Sequence, residues 1–252
     1  MTFFIEYPNI TLRCILNCSE KRRCLAQGSI SQADVIGGGK QCTCAALVFI
    51  GRHLGGTLTM NTSNSVDSII RDGTNLYWSH INAVYGGQGK YLMFSELPEV
   101  ITVDDCLLSI SINTADVCSG LIGVLESDSG SLTKTLYDAF TTIFIEGDAR
   151  SCLISVGHNP AYTSAVCKVE NGSSFVCFDS HSRSNTGIRS GTVNGKAVIL
   201  AVESIASLTE YFTDLAQSLF ENYKEIPFEV VSVSLVRKGR LHFTVIIVLM
   251  CY

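Results

Sequence analysis

The chain has 252 residues, a length that suits one large domain. Hydrophobic residues make up 46% of it and charged residues 16%, which excludes an intrinsically disordered chain and predicts a large buried core. The formal net charge of −5 is opposite in sign to the basic face of a nucleic-acid-binding protein, so we expect no nucleic-acid partner.

The N-terminal residues and the cysteines bear on the compartment. Residues 1–27 show little periodicity, and we expect them to form an N-terminal extension. Glu6 and Pro8 interrupt the apolar run that a signal peptide needs. The eleven cysteines are odd in number and irregularly spaced, and several lie in apolar runs, where a free cysteine behaves as a small buried hydrophobe. We therefore expect a reducing, intracellular setting, in the cytoplasm or the nucleus.

Three helices are predicted between residues 41 and 145. The apolar residues 41–53 follow the glycine run 37–39, and we expect a buried helix that begins after a flexible loop. Residues 64–82 have the apolar spacing of an amphipathic helix that Gly73 interrupts. Apolar residues recur at helical spacing over residues 131–145 as well. The first half of the chain is therefore expected to be mainly helical.

The second half of the chain changes period. Short runs rich in β-branched and aromatic residues, separated by turn signals such as Asn171-Gly172, predict strands. These runs cover residues 151–157, 162–169, 173–181 and 195–202. Residues 204–220 return to helical spacing, with Ser204 as the N-cap. Helices followed by antiparallel strands predict an α+β domain.

Residues 221–252 form a tail of different character. Residues 229–236 alternate apolar and polar side chains, residues 237–240 favour a turn, and residues 243–252 are continuously apolar. The apolar run is shorter than the roughly 20 residues that a membrane-spanning helix needs, so we expect no membrane span. A terminal β-hairpin is the favoured interpretation, and peripheral attachment to a membrane or a truncated membrane segment is the alternative.

Two motifs resemble ligand sites but lack the required spacing. Residues 37–40 end like a phosphate-binding loop, yet Asp34 stands where that loop needs its first glycine and Gln41 where it needs Ser or Thr. The close-set cysteines, the Cys42–Cys44 pair among them, do not form the two matched pairs typical of a zinc site. We therefore expect no nucleotide, no metal and no other cofactor.

One cysteine lies where a thiol can become a nucleophile. Cys42 follows the glycine run at the predicted start of a helix, where unpaired backbone N–H groups and the helix dipole favour the thiolate. In the strand predicted over residues 173–181, Asp179 and His181 stand two residues apart and so share one face. The carboxylate can orient the imidazole. A fold that brings this strand end to the helix N-terminus would complete a Cys–His–Asp triad.

Gln32 and two alternative residues belong to the same candidate site. The Gln32 side chain, ten residues before Cys42, can donate to a developing oxyanion together with the Cys42 backbone N–H. Cys44 is the alternative thiol, but on a helix its side chain points about 200° away from that of Cys42 and into the core. His158 is the alternative base, and it has no carboxylate two residues away.

Two segments of the chain resemble a known family. Residues 28–50 and 177–187, above all the Phe-Asp-Ser-His-Ser-Arg sequence in the second, resemble the deubiquitinase domain of herpesvirus large tegument proteins and its cellular or bacterial relatives. That family consists of papain-like cysteine proteases. The resemblance implies a papain-like α+β fold, with N-terminal helices packed on a central, mostly antiparallel β-sheet. It covers residues 28–220, which we take as the domain, between the extension over 1–27 and the tail over 221–252.

The resemblance also implies a reaction and a partner. Cys42 would be the nucleophile and His181 the general base and acid. Asp179 would orient His181, and Gln32 would stand in the oxyanion hole. The family cleaves the peptide or isopeptide bond after the C-terminal glycine of ubiquitin, so ubiquitin or a polyubiquitin chain is the implied partner. A non-catalytic ubiquitin-binding relative, and a papain-like protease of another ubiquitin-like modifier, are the alternatives.

Glycine specificity in such an enzyme would need a narrow, covered groove that admits no side chain. The candidates for its lining are Tyr77, Trp78, Tyr85 and residues 86–89. A buried aromatic cluster beside a plain surface loop is the favoured interpretation of these residues.

Overall fold

The structure is a computed structural model that describes residues 21–36, 39–113, 117–123, 134–158, 161–170, 173–190, 195–220 and 225–240. The strands in these residues are β1 Arg22–Gln27, β2 Val100–Val103, β3 Cys106–Ile112, β4 Cys118–Ile122, β5 Ser151–Val156, β6 Tyr162–Lys168, β7 Phe175–Arg183, β8 Lys196–Val202 and β9 Ile226–Arg240. The helices are α1 Cys42–Leu54, α2 Ser63–Tyr85, α3 Leu136–Thr141 and α4 Ile205–Leu219.

All nine described strands belong to one sheet, in the order β1-β8-β7-β6-β5-β9-β3-β2, with β4 paired to β9. Every strand pairing is antiparallel. The 15-residue strand β9 pairs with β5 along one edge and with β4 and then β3 along the other. The last described strand of the chain therefore lies in the middle of the sheet.

The sheet has a hydrophobic core on each face. Helices α1 and α2 cover one face, and α3 and α4 cover the other. Along β7, Val176 and Phe178 point into the first core, whereas Phe175 and Cys177 point into the second. A strand that is buried on both faces is apolar at every position rather than at alternate ones, which is why residues 175–178 of β7 and 197–202 of β8 are continuously apolar in the sequence. The predicted α+β class, with helices packed on a central antiparallel sheet, is confirmed.

The first two predicted helices correspond to α1 and α2, which cross at a glycine. A Cβ atom built on Gly73 of α2 would lie only 2.4 Å from the Cα atom of Ala45 on α1. Gly73 therefore permits the close approach of the two helices, and α2 runs through it without a break. The predicted interruption at Gly73 is wrong, because the glycine is needed for packing between helices and not for a bend.

Most predicted elements of the second half are present. The four predicted strands correspond to β5, β6, β7 and β8, and the helix over residues 204–220 corresponds to α4 with Ser204 as its N-cap. The helix predicted over residues 131–145 is described as α3 followed by a π-helical turn at Thr142–Glu146. The predicted turn at residues 171–172 lies outside the described residues, although the strands on either side of it pair with each other.

The first and last described strands extend beyond what the sequence predicted, although residues 229–236, predicted as part of a terminal hairpin, do lie in β9. The last six residues of the predicted extension form β1, which pairs with β8. The turn predicted at residues 237–240 is wrong, because β9 continues through them to pair with β3. The apolar residues 243–252 lie outside the described residues. No helix in the described part of the chain is both long and apolar enough to cross a membrane.

Candidate active site

Cys42 is the first residue of α1, and its side chain is buried with 4% exposed. Gln41 precedes it as the N-cap. The backbone N–H groups in the first turn of a helix have no partner within the helix, and the positive end of the helix dipole lies there. The Cys42 thiol therefore lies against a positive electrostatic potential.

Asp179 and His181 lie near the end of β7, where the strand departs from regular pairing. The register of β7 with β8 is regular from Phe175 to Asp179 and is interrupted between Asp179 and Arg183. Within this irregular segment, Asp179 Oδ1 accepts a hydrogen bond from the His181 backbone N–H at 2.9 Å and contacts His181 Nδ1 at 2.7 Å. Arg183 Nε donates to the other carboxylate oxygen at 2.8 Å. The imidazole is thus oriented by a carboxylate that is itself paired with a guanidinium.

The fold brings His181 to Cys42. The two groups lie close enough for each to shift the pKa of the other: the imidazole lowers the pKa of the thiol, and the thiol raises that of the imidazole. The Thr163 backbone on β6 also lowers the pKa of the thiol, and Cys42 Sγ lies 3.9 Å from Thr43 Oγ1. The ring of Tyr162 meets the imidazole edge-on, with ring centroids 4.8 Å apart. The structure thus assembles the predicted cysteine, histidine and aspartate in one place and packs an aromatic ring against the histidine.

The pKa shifts follow from this arrangement. Burial raises the pKa of the Cys42 thiol, but His181, together with Thr163 and Thr43, lowers it by more, and the pKa lies below its ordinary value. Burial lowers the pKa of His181, but the Asp179 carboxylate and the Cys42 thiol together raise it by more, and the pKa lies above its ordinary value. Burial also raises the pKa of Asp179, yet the positive charges of Arg183 and His181 hold it well below its usual range. The site therefore favours a thiolate–imidazolium pair beside an ionised carboxylate.

Gln32 begins a short 3₁₀ turn, Gln32–Asp34, and its side chain reaches the loop that leads into Cys42. Gln32 Nε2 donates to the Gly39 carbonyl oxygen at 3.3 Å, and Gln32 Oε1 accepts from Ser180 Oγ at 3.0 Å. Gln41 Nε2 donates to the Gln32 carbonyl oxygen at 3.0 Å, which ties the turn to the start of α1. The NH₂ end of the Gln32 amide therefore lies beside the loop that precedes Cys42.

A cleft of about 480 Å³ opens beside Cys42, within the range of known ligand sites. One wall is formed by residues 90–94, and the other includes Ser155 on β5, Thr163 on β6 and Glu229 on β9. The cleft therefore lies between residues 90–94 and the sheet, with the buried Cys42 in its lining.

The wall formed by residues 90–94 is supported from behind by α2. Tyr77 Oη donates to the Lys90 carbonyl oxygen at 2.8 Å, and Trp78 Nε1 donates to the Ile36 carbonyl oxygen at 3.2 Å. Tyr77 and Trp78, two of the aromatic residues considered for the groove lining, therefore support the loops near Cys42 from behind. The cleft itself is lined by Lys40 and residues 90–94 of those loops.

A larger cavity of about 630 Å³ lies at the other end of α1. Gly51 and Leu54 of α1 and residues of β3 and β9 line it, and it contains none of the four predicted site residues. By volume alone, this cavity would be chosen as the functional site in preference to the cleft at Cys42. Shifted pKa values in a cluster of titratable groups are the stronger sign of a functional site, and they select the cleft at Cys42.

The alternative thiol and the alternative base lie elsewhere. Cys44 is fully buried in the core, where burial raises the pKa of its thiol. His158 is exposed beyond the end of β5. The eight cysteines in the described ranges are all free thiols, and no His, Cys, Asp or Glu in those ranges form a cluster suited to a metal ion.

Three neighbours of the site were not predicted from the sequence. The two-residue period of a strand places Arg183 on the same face as Asp179, so a local signal for their contact was present. Ser180 meets Gln32, and Thr163 meets Cys42, across long separations in the chain. No local pattern predicts those two contacts, because they depend on how the sheet packs against α1.

Comparison with known proteins agrees with this fold. The family model described as herpesvirus tegument protein, N-terminal conserved region, matches residues 36–236. Comparison with curated protein sequences gives no significant match. The structure of the ubiquitin-specific protease encoded by murine cytomegalovirus tegument protein M48, in complex with a ubiquitin-based suicide substrate, is similar with a TM-score of 0.63 and 16% identity. The similarity covers 88% of this chain and 90% of that chain, and it confirms the predicted papain-like α+β fold.

Proposed function

Because the chain belongs to the herpesvirus tegument protein family defined by this N-terminal conserved region, we propose that it is a cysteine-type deubiquitinase. It hydrolyses the peptide or isopeptide bond after the C-terminal glycine of ubiquitin. The observation that carries the proposal is the buried contact between Cys42 and His181 at the N-terminus of α1, with Asp179 orienting the imidazole. The ubiquitin-based substrate bound in the similar murine cytomegalovirus structure supports ubiquitin as the partner.

Acylation begins from the thiolate–imidazolium pair. The Cys42 sulfur attacks the carbonyl carbon of the terminal glycine, and the carbonyl oxygen takes up the negative charge. The Cys42 backbone N–H and the Gln32 side chain donate to that oxyanion. When the tetrahedral intermediate collapses, the C–N bond breaks and the imidazolium of His181 transfers its proton to the departing amine. Ubiquitin is left as a thioester on Cys42.

Deacylation uses the same groups with water as the nucleophile. The neutral imidazole of His181 accepts a proton from water as the oxygen attacks the thioester carbonyl. Collapse of the second tetrahedral intermediate breaks the C–S bond and releases the C-terminal carboxylic acid of ubiquitin, which then loses its proton to solvent. The Cys42 thiolate and the imidazolium of His181 are then restored. Asp179 stays ionised and orients the ring throughout, as the depressed pKa of its carboxyl requires.

The burial of Cys42 fits a substrate that ends in glycine. Only 4% of the residue is exposed, and the thiol is reached through the cleft between residues 90–94 and the sheet. A chain end without side chains at the scissile bond can enter a narrow cleft that a branched residue cannot. Ubiquitin and polyubiquitin chains present such an end, and the proposed activity acts on both.

The proposal is tested with a ubiquitin probe that carries a thiol-reactive electrophile at its C-terminus. The purified chain is expected to form a covalent ubiquitin adduct, and Cys42→Ala is expected to form none. Cys44→Ala is the matched control, because it removes a thiol from the same helix two residues away and is expected to keep the adduct. Circular dichroism of each variant verifies that it is folded.

A second probe, built on another ubiquitin-like modifier, separates the alternatives. An adduct with the second probe alone would replace ubiquitin by that modifier as the substrate. Ubiquitin binding by a folded chain that forms no adduct with either probe would indicate a non-catalytic relative. Loss of the adduct in Cys44→Ala but not in Cys42→Ala would show that the nucleophile is the other thiol.

A further inference from the structure

We propose that Ser180 is a positioning residue that holds the Gln32 amide in the orientation needed to donate to the oxyanion. The inference rests on the proposed function, since it assigns a role to Ser180 in the same reaction. Ser180 lies between Asp179 and His181 in the chain, so one short segment of β7 would position both the base and the oxyanion donor.

The geometry fixes both ends of the Gln32 side chain. At one end, Oε1 accepts from Ser180 Oγ at 3.0 Å, and at the other, Nε2 donates to the Gly39 carbonyl oxygen at 3.3 Å. Both side chains are buried, with 3% of Gln32 and 1% of Ser180 exposed. Water is therefore a poor substitute for either partner, and the orientation of the amide depends on these two contacts.

Reversal of the amide would be unfavourable. It would place Oε1 against the Gly39 carbonyl oxygen, two acceptors without a hydrogen between them, and would leave the NH₂ group away from the loop before Cys42. In the observed orientation one N–H of Nε2 is bonded to Gly39, and the other is free for the substrate. The Ser180 hydroxyl, as the donor to Oε1, stabilises the orientation that presents this N–H.

Removal of the Ser180 hydroxyl should act through Gln32. Ser180→Ala leaves Gln32 Oε1 without its donor in a buried site, so the amide gains freedom to rotate or reverse. Complete loss of an oxyanion donor lowers kcat by about 10²–10³-fold, and a donor that is present but loosely held should cost less, about 10-fold. The Michaelis constant should not change, because the oxyanion exists only in the transition state.

The kinetic experiment is a double-mutant cycle with Ser180→Ala and Gln32→Ala, measured on a fluorogenic ubiquitin substrate. We expect kcat to fall in Ser180→Ala with KM unchanged, and Ser180→Ala to have no further effect in the Gln32→Ala background. An equal fold-loss in both backgrounds, or full activity of Ser180→Ala, would overturn the proposal. Ser182→Ala, which removes the same hydroxyl two positions along β7 where Ser182 Oγ lies beside Gly195, is the matched control and should keep its kcat.

A local disturbance of the base must be distinguished from an effect on Gln32. Alkylation of Cys42 by iodoacetamide needs the thiolate but forms no oxyanion, so its rate reports on the thiol and His181 alone. We expect this rate to be the same in Ser180→Ala as in the wild type. A slower alkylation in proportion to the loss of kcat would assign the effect to His181 and contradict the proposal.

An NMR measurement tests the positioning role without turnover. The side-chain NH₂ signals of ¹⁵N-labelled Gln32, assigned by their disappearance in Gln32→Ala, should shift or broaden in Ser180→Ala and not in Ser182→Ala. Unchanged signals in Ser180→Ala would refute the inference even if the enzyme is active. If the wild type fails to hydrolyse ubiquitin while the signals respond as expected, the proposed function fails and the positioning of Gln32 stands.

Discussion

Arg183 shares the Asp179 carboxylate with His181 in the buried interior of the site. Arg183 is 2% exposed and Asp179 is 1% exposed, so neither charge is solvated and each depends on the other. A buried ion pair need not stabilise a fold relative to apolar residues, but removal of one partner leaves an uncompensated charge. The pair therefore links the stability of the domain to the orientation of the proposed base.

Asp179→Asn is expected to affect both properties. The neutral amide no longer stabilises the imidazolium or fixes its tautomer, and kcat for ubiquitin hydrolysis should fall by about 10⁴-fold. The unpaired guanidinium of Arg183 should lower the free energy of unfolding by about 3–5 kcal/mol. Steady-state kinetics and urea denaturation measure the two effects. Asp214→Asn, which breaks the half-exposed ion pair with Arg22, is the control and should cost less than about 1 kcal/mol.

The pH dependence of Cys42 reactivity tests the coupling of the thiol with His181. The imidazolium lowers the pKa of the thiol, so the alkylation rate should reach half its maximum below the value of about 8.5 for an ordinary cysteine. In His181→Ala burial remains without the imidazolium, and this midpoint should move above that value. For hydrolysis, kcat/KM should rise with pH as Cys42 loses its proton. It should fall at higher pH as His181 loses its proton, and this fall should lie above about pH 6.5 because the pKa of His181 is raised from that value. Identical alkylation profiles for the two proteins would contradict the coupling.

At the level of elements, the crossing of α1 and α2 determines where Cys42 lies. Because Gly73 has no side chain, α2 approaches the Ala45 backbone in the first turn of α1, close to the thiol. α2 also holds the cleft loops through Tyr77 and Trp78. A single pair of helices thus positions the proposed nucleophile and supports the cleft wall formed by residues 90–94.

Gly73→Ala should separate the two helices. The added methyl group would overlap the Ala45 backbone, which cannot move as the end of a long side chain can. Overpacking of this kind typically costs about 1–3 kcal/mol, which chemical denaturation would measure. Asn75→Ala, at an exposed position of the same helix, provides the control and is expected to leave stability unchanged or slightly raised, since alanine favours helices. Equal stability of Gly73→Ala and the wild type would show that the crossing can relax.

The elements that the sequence predicted are those with a strong local signal. The first four residues of β7 and nearly all of β8 are apolar on both faces, and α4 combines a serine cap with an apolar stripe. The strands β2, β3 and β4 are shorter or are interrupted by small polar residues. In β4, Gly120 breaks the pattern because a Cβ atom there would lie 2.0 Å from the Lys134 carbonyl oxygen. This requirement for glycine comes from a neighbouring segment and is invisible in the local sequence.

The residues of the candidate site also divide into those with a local sequence signal and those whose contacts depend on the tertiary fold. Cys42 was predicted from a glycine-to-helix junction, and Asp179 with His181 from the two-residue period of a strand, all of which are local. The contact between Ser180 and Gln32 spans 148 residues and needs the complete sheet. Local patterns therefore predict which residues are suited to chemistry, whereas the tertiary fold decides which residues orient them.

On the scale of the whole molecule, the sheet joins the N-terminal end of the described chain to the site. The strand β1 pairs with β8, and β8 pairs with β7, which carries Asp179 and His181. Gln27, the last residue of β1, donates from Nε2 to the Arg183 carbonyl oxygen at 3.2 Å. Directly after it, the Gly28 N–H donates to the Ala197 carbonyl oxygen, and the chain continues into the turn of Gln32.

These connections predict that the folded unit needs β1 and does not begin at Gly28. A chain that begins at Gly28 lacks the β1–β8 hydrogen bonds, each worth about 0.5–1.5 kcal/mol net, and should unfold at a lower temperature than a chain that begins at Lys21. It also lacks the bond from Gln27 to Arg183 on β7, the strand that carries the proposed base His181, so kcat should fall at temperatures where both chains are folded. Differential scanning calorimetry and ubiquitin hydrolysis measure the two effects. Equal melting temperatures would place β1 outside the cooperative unit, because an edge strand that contributes to folding cannot be removed without loss of stability.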